Sequence, residues 1–203
     1  IDSNESFLSD EDRIGEIIIF LLGGHDTTGF TVCTTLLLLA KYPDICNKLR
    51  SELLKVPRES WDTDCEYLKF VIKESMRLYP VAPINGFRKV GKDFVTEDGR
   101  IIPKGSSCTL LNVAFGRDER HFENPEDFNP DRWYNATDEM KAAVMNFSAG
   151  NRGCIGQVLG MAKLNSIIPR IVTEFSLELA KEGELDYFLT WKMVGGQIVL
   201  KKL

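Results

Sequence analysis

Histidine is the scarcest chemistry-bearing residue in this 203-residue chain. Only His25 and His121 occur, so a three-histidine zinc site cannot be built from it. The five cysteines (Cys33, Cys46, Cys65, Cys108, Cys154) are odd in number, and no two form a C-x-x-C pair. That pattern argues against a disulfide framework, a four-cysteine zinc site, a thioredoxin-type motif and covalent c-type haem attachment, and it fits a reducing environment. Positive charge has no surplus: 25 Lys and Arg against 30 Asp and Glu leave a net charge of −5. No nucleic-acid partner is expected from such a balance. Long apolar runs are missing too. Gly23 and Gly24 interrupt the run that starts at Ile17. No segment is therefore expected to span a membrane by itself. There is no secretory signal pattern, internal repeat or low-complexity linker. The sequons at Asn4, Asn135 and Asn146 are expected to be unused.

What is present is globular. Hydrophobic residues make up 43% and charged residues 27%, and a chain of this size buries roughly 70% of its unfolded surface. Ser9 and Asp10 can cap a very long helix carrying apolar residues from Ile14 to Ala40. Further helices are predicted over Asp44 to Lys55 and Thr63 to Leu78, the latter stopping before Pro80. Short strands are predicted at Asp93 to Val95, Arg100 to Ile102 and Ser107 to Leu111, with a turn at Glu97-Asp98-Gly99. Phe122 to Tyr134 reads as irregular. A glycine-rich loop, Phe147 to Gly153, precedes a helix from about Cys154, which Pro169 should end or kink. The tail, Phe175 to Leu203, reads as a hairpin around Gly195-Gly196. The fold class is mainly α with a minor β-sheet.

The chemistry concentrates at Cys154. The apolar set Ile155, Val158, Leu159 and Ala162 places it at the start of a helix, where the helix dipole favours a thiolate. Gly150, Gly153 and Gly156 let backbone amides, or a flat group, come close, and Arg152 can hold an anion beside them. Gly150, Gly153 and Gly156 match neither dinucleotide nor P-loop spacing, and a nucleotide site would leave Cys154 unexplained.

Phe147-Ser148-Ala149-Gly150-Asn151-Arg152-Gly153-Cys154-Ile155-Gly156 has the form F-x-x-G-x-R-x-C-x-G and resembles the haem-binding signature of the cytochrome P450 family. The resemblance implies haem b, with Cys154 as the axial ligand of its iron, Arg152 facing a propionate and Phe147 packing near the sulfur. A thiolate ligand pushes electron density onto iron and favours O–O cleavage. Arg88, roughly ten residues past the third helix, stands where the family often places a second propionate-binding arginine.

Other segments carry the same resemblance in the expected order. Glu74-Ser75-Met76-Arg77 is E-x-x-R, with both charges on one helical face. Phe128-Asn129-Pro130-Asp131-Arg132-Trp133 is similar to the family's F-x-P-E-R-F segment. Together they imply a structural Glu74–Arg77–Arg132 cluster that supports the cysteine loop. Gly23-Gly24-His25-Asp26-Thr27-Thr28 looks like the family's A/G-G-x-D/E-T-T motif, in which Thr27 borders bound dioxygen and Asp26 relays protons. Gly23 and Thr27 lie four apart on one helical face. His25 and His121 are expected to be structural, and Cys33, Cys46, Cys65 and Cys108 to act as small hydrophobes. Val158 and Lys163 depart from the family's pattern on the side where an electron donor docks, Gly116 stands where histidine is common, and Pro169 is unusual.

The resemblance implies a monooxygenase that uses O2 on a lipophilic substrate, with electrons from an NADPH-dependent reductase or a ferredoxin. Its rivals are a haem-thiolate isomerase or dehydratase, disfavoured by the Asp26-Thr27 pair, and a truncated or non-catalytic haem-binding fragment. Residues 1–203 are expected to form a single incomplete domain, from the oxygen-activating helix to the C-terminus of a longer protein. That protein would sit at the endoplasmic reticulum membrane, on its cytoplasmic face, with any membrane association supplied by a segment preceding this chain.

Overall fold

A computed structural model of the chain describes residues 9–187 and 190–203. Helix α1 spans Asp10–Lys41. Its start follows from a capping box: the Asp12 amide donates to Ser9 Oγ at 3.2 Å, and the Ser9 amide donates to Asp12 Oδ2 at 3.1 Å. Asp10, Glu11 and Asp12 also complement the dipole of the first turn. It stops because Tyr42 precedes Pro43 and leaves the helical region (φ −118°, ψ 77°). By length and hydropathy α1 is long and apolar enough to cross a membrane, contrary to the expectation drawn from its interrupted apolar run. Val32, Leu36, Leu38, Leu39 and Ala40 of its C-terminal half are core, whereas only 17% of the apolar window is buried.

Pro43 opens α2 (Pro43–Leu53), its fixed φ suited to the first helical position. Cys46, Leu49 and Leu53 form its buried stripe. The third predicted helix divides in two, α3 (Trp61–Asp64) and α4 (Glu66–Leu78), because Cys65 leaves the helical region (φ −89°, ψ 89°). The break lets Trp61 bury and donate its indole N–H to the Leu53 carbonyl at 3.0 Å, while Cys65 itself is buried. Leu68, Val71, Ile72 and Leu78 make α4 the centre of the core, shared with α1, α2 and the last helix.

The sheets are small antiparallel pairs. Strand β1 (Ile84–Lys89) lacks a clear alternation and was not expected from the sequence. It pairs with β4 (Ser107–Leu111) around the β2 (Phe94–Val95) and β3 (Ile101–Ile102) hairpin. A short helix α5 (Asn112–Phe115) follows. The irregular stretch that comes next includes a 3₁₀ segment, Pro130–Asn135, and buries Phe122 and Trp133 in a second small core with Ala143 of α6 (Asp138–Ala143).

Helix α7 (Gln157–Glu174) begins three residues after Cys154, not at it. It also runs straight through Pro169, which neither ends it nor leaves its carbonyl idle, since Thr173 Oγ1 donates there at 2.8 Å. Burial of Leu164, Ile168, Pro169 and Val172 against the core outweighs the one missing N–H bond.

The tail is not a hairpin at Gly195-Gly196. Strand β5 (Phe175–Lys181) pairs with β8 (Gln197–Lys202), and inside that pair β6 (Glu184–Tyr187) pairs with β7 (Trp191–Val194). The glycines serve a crossing. A Cβ on Gly196 would lie 2.9 Å from Leu37 Cδ1 and 3.2 Å from the Gly183 Cα, so a side chain there would have to push Leu37 and the Gly183 backbone aside over α1.

Candidate active site

The cysteine loop is held by its own backbone. Gly150–Arg152 form a 3₁₀ turn closed by the Gly153 amide on the Gly150 carbonyl at 2.9 Å. The Cys154 amide then donates to the Phe147 carbonyl at 2.8 Å, pinning the two ends of the loop together. Ser148 (φ 58°) and Gly150 (φ 67°) both adopt left-handed backbone, which costs a serine more than a glycine. A Cβ on Gly153 would press to 3.2 Å of the Gly150 carbonyl oxygen. A Cβ on Gly156 would meet Cys154 Sγ at 3.7 Å, so the thiol lies over a residue without a side chain. Cys154 is exposed and forms no disulfide. Its neighbours Ile155 and Val158 are more than four-fifths exposed (84% and 83%), an apolar surface beside the sulfur.

Helix α7 carries this loop to α1. A Cβ on Gly160 would lie 3.9 Å from both Phe147 Cε1 and Thr28 Oγ1. Lys163 Nζ reaches the Gly24 carbonyl at 3.4 Å. The Gly23 to Thr28 stretch therefore packs against the first turns of α7. There Thr27 Oγ1 donates to the Gly23 carbonyl at 2.5 Å, and His25 Nδ1 lies 2.9 Å from Asp26 Oδ1. Lys163 is thus turned into the α1–α7 pair. Gly23 and Gly24 have open space where a Cβ would be.

Glu74, Arg77 and Arg132 come together, and far more deeply than an E-x-x-R surface pair. The side chains of Glu74 and Arg77 are fully buried. The Glu74 carboxylate accepts from Arg77 Nε and Nη2 (2.9 and 2.8 Å), Arg132 Nε (2.9 Å), Trp133 Nε1 (2.9 Å) and the Asn129 amide (3.0 Å). Arg77 Nη1 further donates to the Gly116 and Pro125 carbonyls, each at 2.6 Å. Arg132 Nη1 donates to the Glu123 carbonyl at 2.7 Å. Gly116 has no room for a side chain, since a Cβ would sit 2.6 Å from the Arg77 carbonyl oxygen. Trp133 and Asn129 were missed as members: they lie within the quoted F-N-P-D-R-W segment, but only folding shows which polar atoms meet Glu74.

Arg88 lies on β1, exposed, its Nη1 donating to the Phe87 carbonyl at 2.8 Å. Neither it nor the exposed Arg152 has a carboxylate partner among the described residues. Of the four other cysteines, only Cys46 and Cys65 are buried as small hydrophobes, and burial pushes both thiols up from their ordinary value. Cys33 and Cys108 are exposed, a correction to the sequence expectation, since neither lies on a buried face of α1 or β4.

A cavity of about 490 Å³ opens on the α4 side of the cysteine loop, unanticipated from the sequence, with Lys69, Lys73, Lys141, Met76, Phe147 and Gln157 in its wall. Its lining contains three lysines and no carboxylate. Burial, and then Lys141, pull the Lys73 ammonium below the usual lysine range.

Comparison with known proteins adds the following. The family model described as Cytochrome P450 matches residues 1–202. Cytochrome P450 3A2 of Rattus norvegicus is 33% identical over 195 residues, covering 90% of this chain and 38% of that protein. Cytochrome P450 4F12 of Homo sapiens is 34% identical over 184 residues, covering 86% and 35%. A crystal structure of a cytochrome P450 (CYP102L1) superposes with a TM-score of 0.85 at 24% identity, over 98% of this chain and 48% of that one. The chain thus spans well under half the length of the curated relatives it matches.

Proposed function

The chain belongs to the cytochrome P450 family, and from that premise we propose that it is the haem-binding part of a monooxygenase. Members of the family carry haem, and we assign haem b here. The observation that carries the proposal is the free, exposed Cys154 thiol over Gly156, in a loop that α7 holds against the Asp26-Thr27 segment of α1. The donor set fits the group. A soft thiolate suits porphyrin iron, glycines leave the loop without side chains, Ile155 offers an apolar surface, and Arg152 and Arg88 are guanidiniums free to meet two carboxylates.

Each residue has a task. Cys154 would ligate the iron, with Phe147 packing near the sulfur. Gly150, Gly153 and Gly156 let the loop lie close. Haem, when bound, supplies the activation of O2, so that one oxygen atom enters a lipophilic substrate and the other leaves as water, at the expense of two electrons and two protons. On α1, Asp26 takes protons from solvent. Thr27, once its hydroxyl releases the Gly23 carbonyl, passes on its own hydroxyl proton and takes a replacement from Asp26. Glu74, Arg77 and Arg132 keep the loop's support rigid.

The electrons come from NADPH through a reductase or a ferredoxin. The lysine-lined cavity beside the loop favours a donor with an acidic face. We place the whole protein at the endoplasmic reticulum membrane, facing the cytoplasm. Asp26 and Thr27 weigh against the isomerase or dehydratase reading.

The test is the absorption spectrum of the full-length protein, reduced and bound to CO. A red-shifted, thiolate-type Soret band is expected, with loss of the shift in Cys154→Ala. A wild-type band without the shift, or a variant that keeps it, sinks the assignment.

A further inference from the structure

One face of α1 carries threonines at every fourth position, Thr27, Thr31 and Thr35. Their hydroxyls all bond back along the helix. Thr27 donates to the Gly23 carbonyl (2.5 Å), Thr31 to the Thr27 carbonyl (2.8 Å) and Thr35 to the Thr31 carbonyl (2.8 Å). Such back-bonds share a carbonyl with the helical amide and bend the helix. The ladder ends on another element: Thr35 Oγ1 also lies 2.8 Å from Ser75 Oγ of α4. One hydroxyl hydrogen cannot serve two acceptors, so Ser75 donates to Thr35, and Thr35 donates onward to the Thr31 carbonyl.

Two facts give this contact weight. It is the one side-chain hydrogen bond between α1 and α4 among the described residues, and it is dry, with Thr35 at 0% and Ser75 at 1% exposure. Ser75 follows Glu74, whose carboxylate is the centre of the buried cluster. Above the contact, α1 changes character. Thr31 is buried, but Thr27 is not, and Gly15, Gly23, Gly24 and Gly29 have open space around them. Four glycines make that half of α1 soft. A soft helix takes its direction from its few directional anchors, here the Lys163 contact with the Gly24 carbonyl and the Thr35–Ser75 pair. Apolar contacts tolerate sliding; a hydroxyl pair fixes both rotation and axial register.

We propose that Thr35 and Ser75 are positioning residues that set where the Thr27 hydroxyl sits relative to the cysteine loop. They act through the threonine ladder, with Ser75 tying α1 to the Glu74 cluster. The idea rests on the proton-delivery role given to Thr27 above.

The experiment uses the full-length, haem-loaded protein with its electron donor and the variants Thr35→Val, Ser75→Ala and Thr35→Ser. Two quantities are read: peroxide released per NADPH consumed, and amide hydrogen exchange over residues 20–32. Thr35→Val and Ser75→Ala are each expected to raise both by about threefold, the scale of a lost pairwise contact, with the double variant no worse than either single one. Thr35→Ser, which keeps the hydroxyl, is expected to restore both. Unchanged exchange and coupling in Thr35→Val and Ser75→Ala overturns the proposal. So does loss of haem that Thr35→Ser shares, since that marks a merely structural role. If the reduced, CO-bound wild type lacks the thiolate band, the monooxygenase reading fails instead, while the exchange data still decide whether the pair anchors α1.

Discussion

A single carboxylate shows what burial does to a charge. Glu74 has no contact with solvent and accepts five hydrogen bonds from four residues. Glu74→Gln replaces one acceptor oxygen with a donor that faces donors, and it strands Arg77 and Arg132. The expected loss of stability is about 3–5 kcal/mol, the cost of breaking a buried pair. Lys48→Met is the contrast. Lys48 also forms a close ion pair, with Asp131 at 2.7 Å, but both side chains are about half exposed, so its loss is expected to stay within about 1 kcal/mol. Urea midpoints of the two variants check the ordering. Glu74, Arg77 and Arg132 were legible because E-x-x-R fixes a helical face and the second arginine sits in a recognisable segment. The Trp133 and Asn129 contacts were not, since those residues lie 59 and 55 positions from Glu74 and nothing local orients them toward it.

Among the elements, α7 departs most from what its sequence alone predicts. Proline inside a helix costs about 3 kcal/mol relative to alanine. The buried ring returns part of this, two extra methylenes being worth about 0.8 kcal/mol each. Pro169→Ala is therefore expected to stabilise the protein by about 1 kcal/mol, visible as a higher urea midpoint with an unchanged slope. A lower midpoint would mean that packing of the buried ring decides the matter. The same competition explains the other misread elements. Thr63 to Leu78 has a continuous helical period, yet burial of Trp61 and Cys65 breaks it. Gly195-Gly196 has the composition of a hairpin turn, yet Gly196 sits where the chain crosses close to Leu37 and Gly183. Helices α1 and α2 were legible because capping, proline and apolar spacing agree there.

For the molecule as a whole, pH tests the core. Burial raises the Cys46 and Cys65 thiols, and burial together with the Asp131 carboxylate raises the Tyr67 phenol. A group whose folded pKa is raised contributes stability below its unfolded value and loses it as pH climbs toward the folded one. The thiols start from an ordinary value of 9.0 and the phenol from 10.0. Lys73, lowered by burial, works in the opposite direction, one buried group against three. Stability is therefore expected to fall from about pH 9 upward. Thermal unfolding at pH 8 and pH 10 checks this, and Tyr67→Phe should reduce the fall. The band from Ile14 to Leu22, more than half exposed on α1, shows the scale at which sequence reading stops. Its apolar period predicts a helix, but not what covers it. By itself the sequence determined the helices whose local signals agree, the cysteine loop and the order of the motifs, because caps, glycines and spacing act within a few residues. Only the tertiary structure decided that Glu74 is buried under Trp133, that Thr35 meets Ser75, and that the terminal strands nest instead of pairing in order. Those outcomes depend on contacts between distant segments, whose free energy exists only once the core has closed.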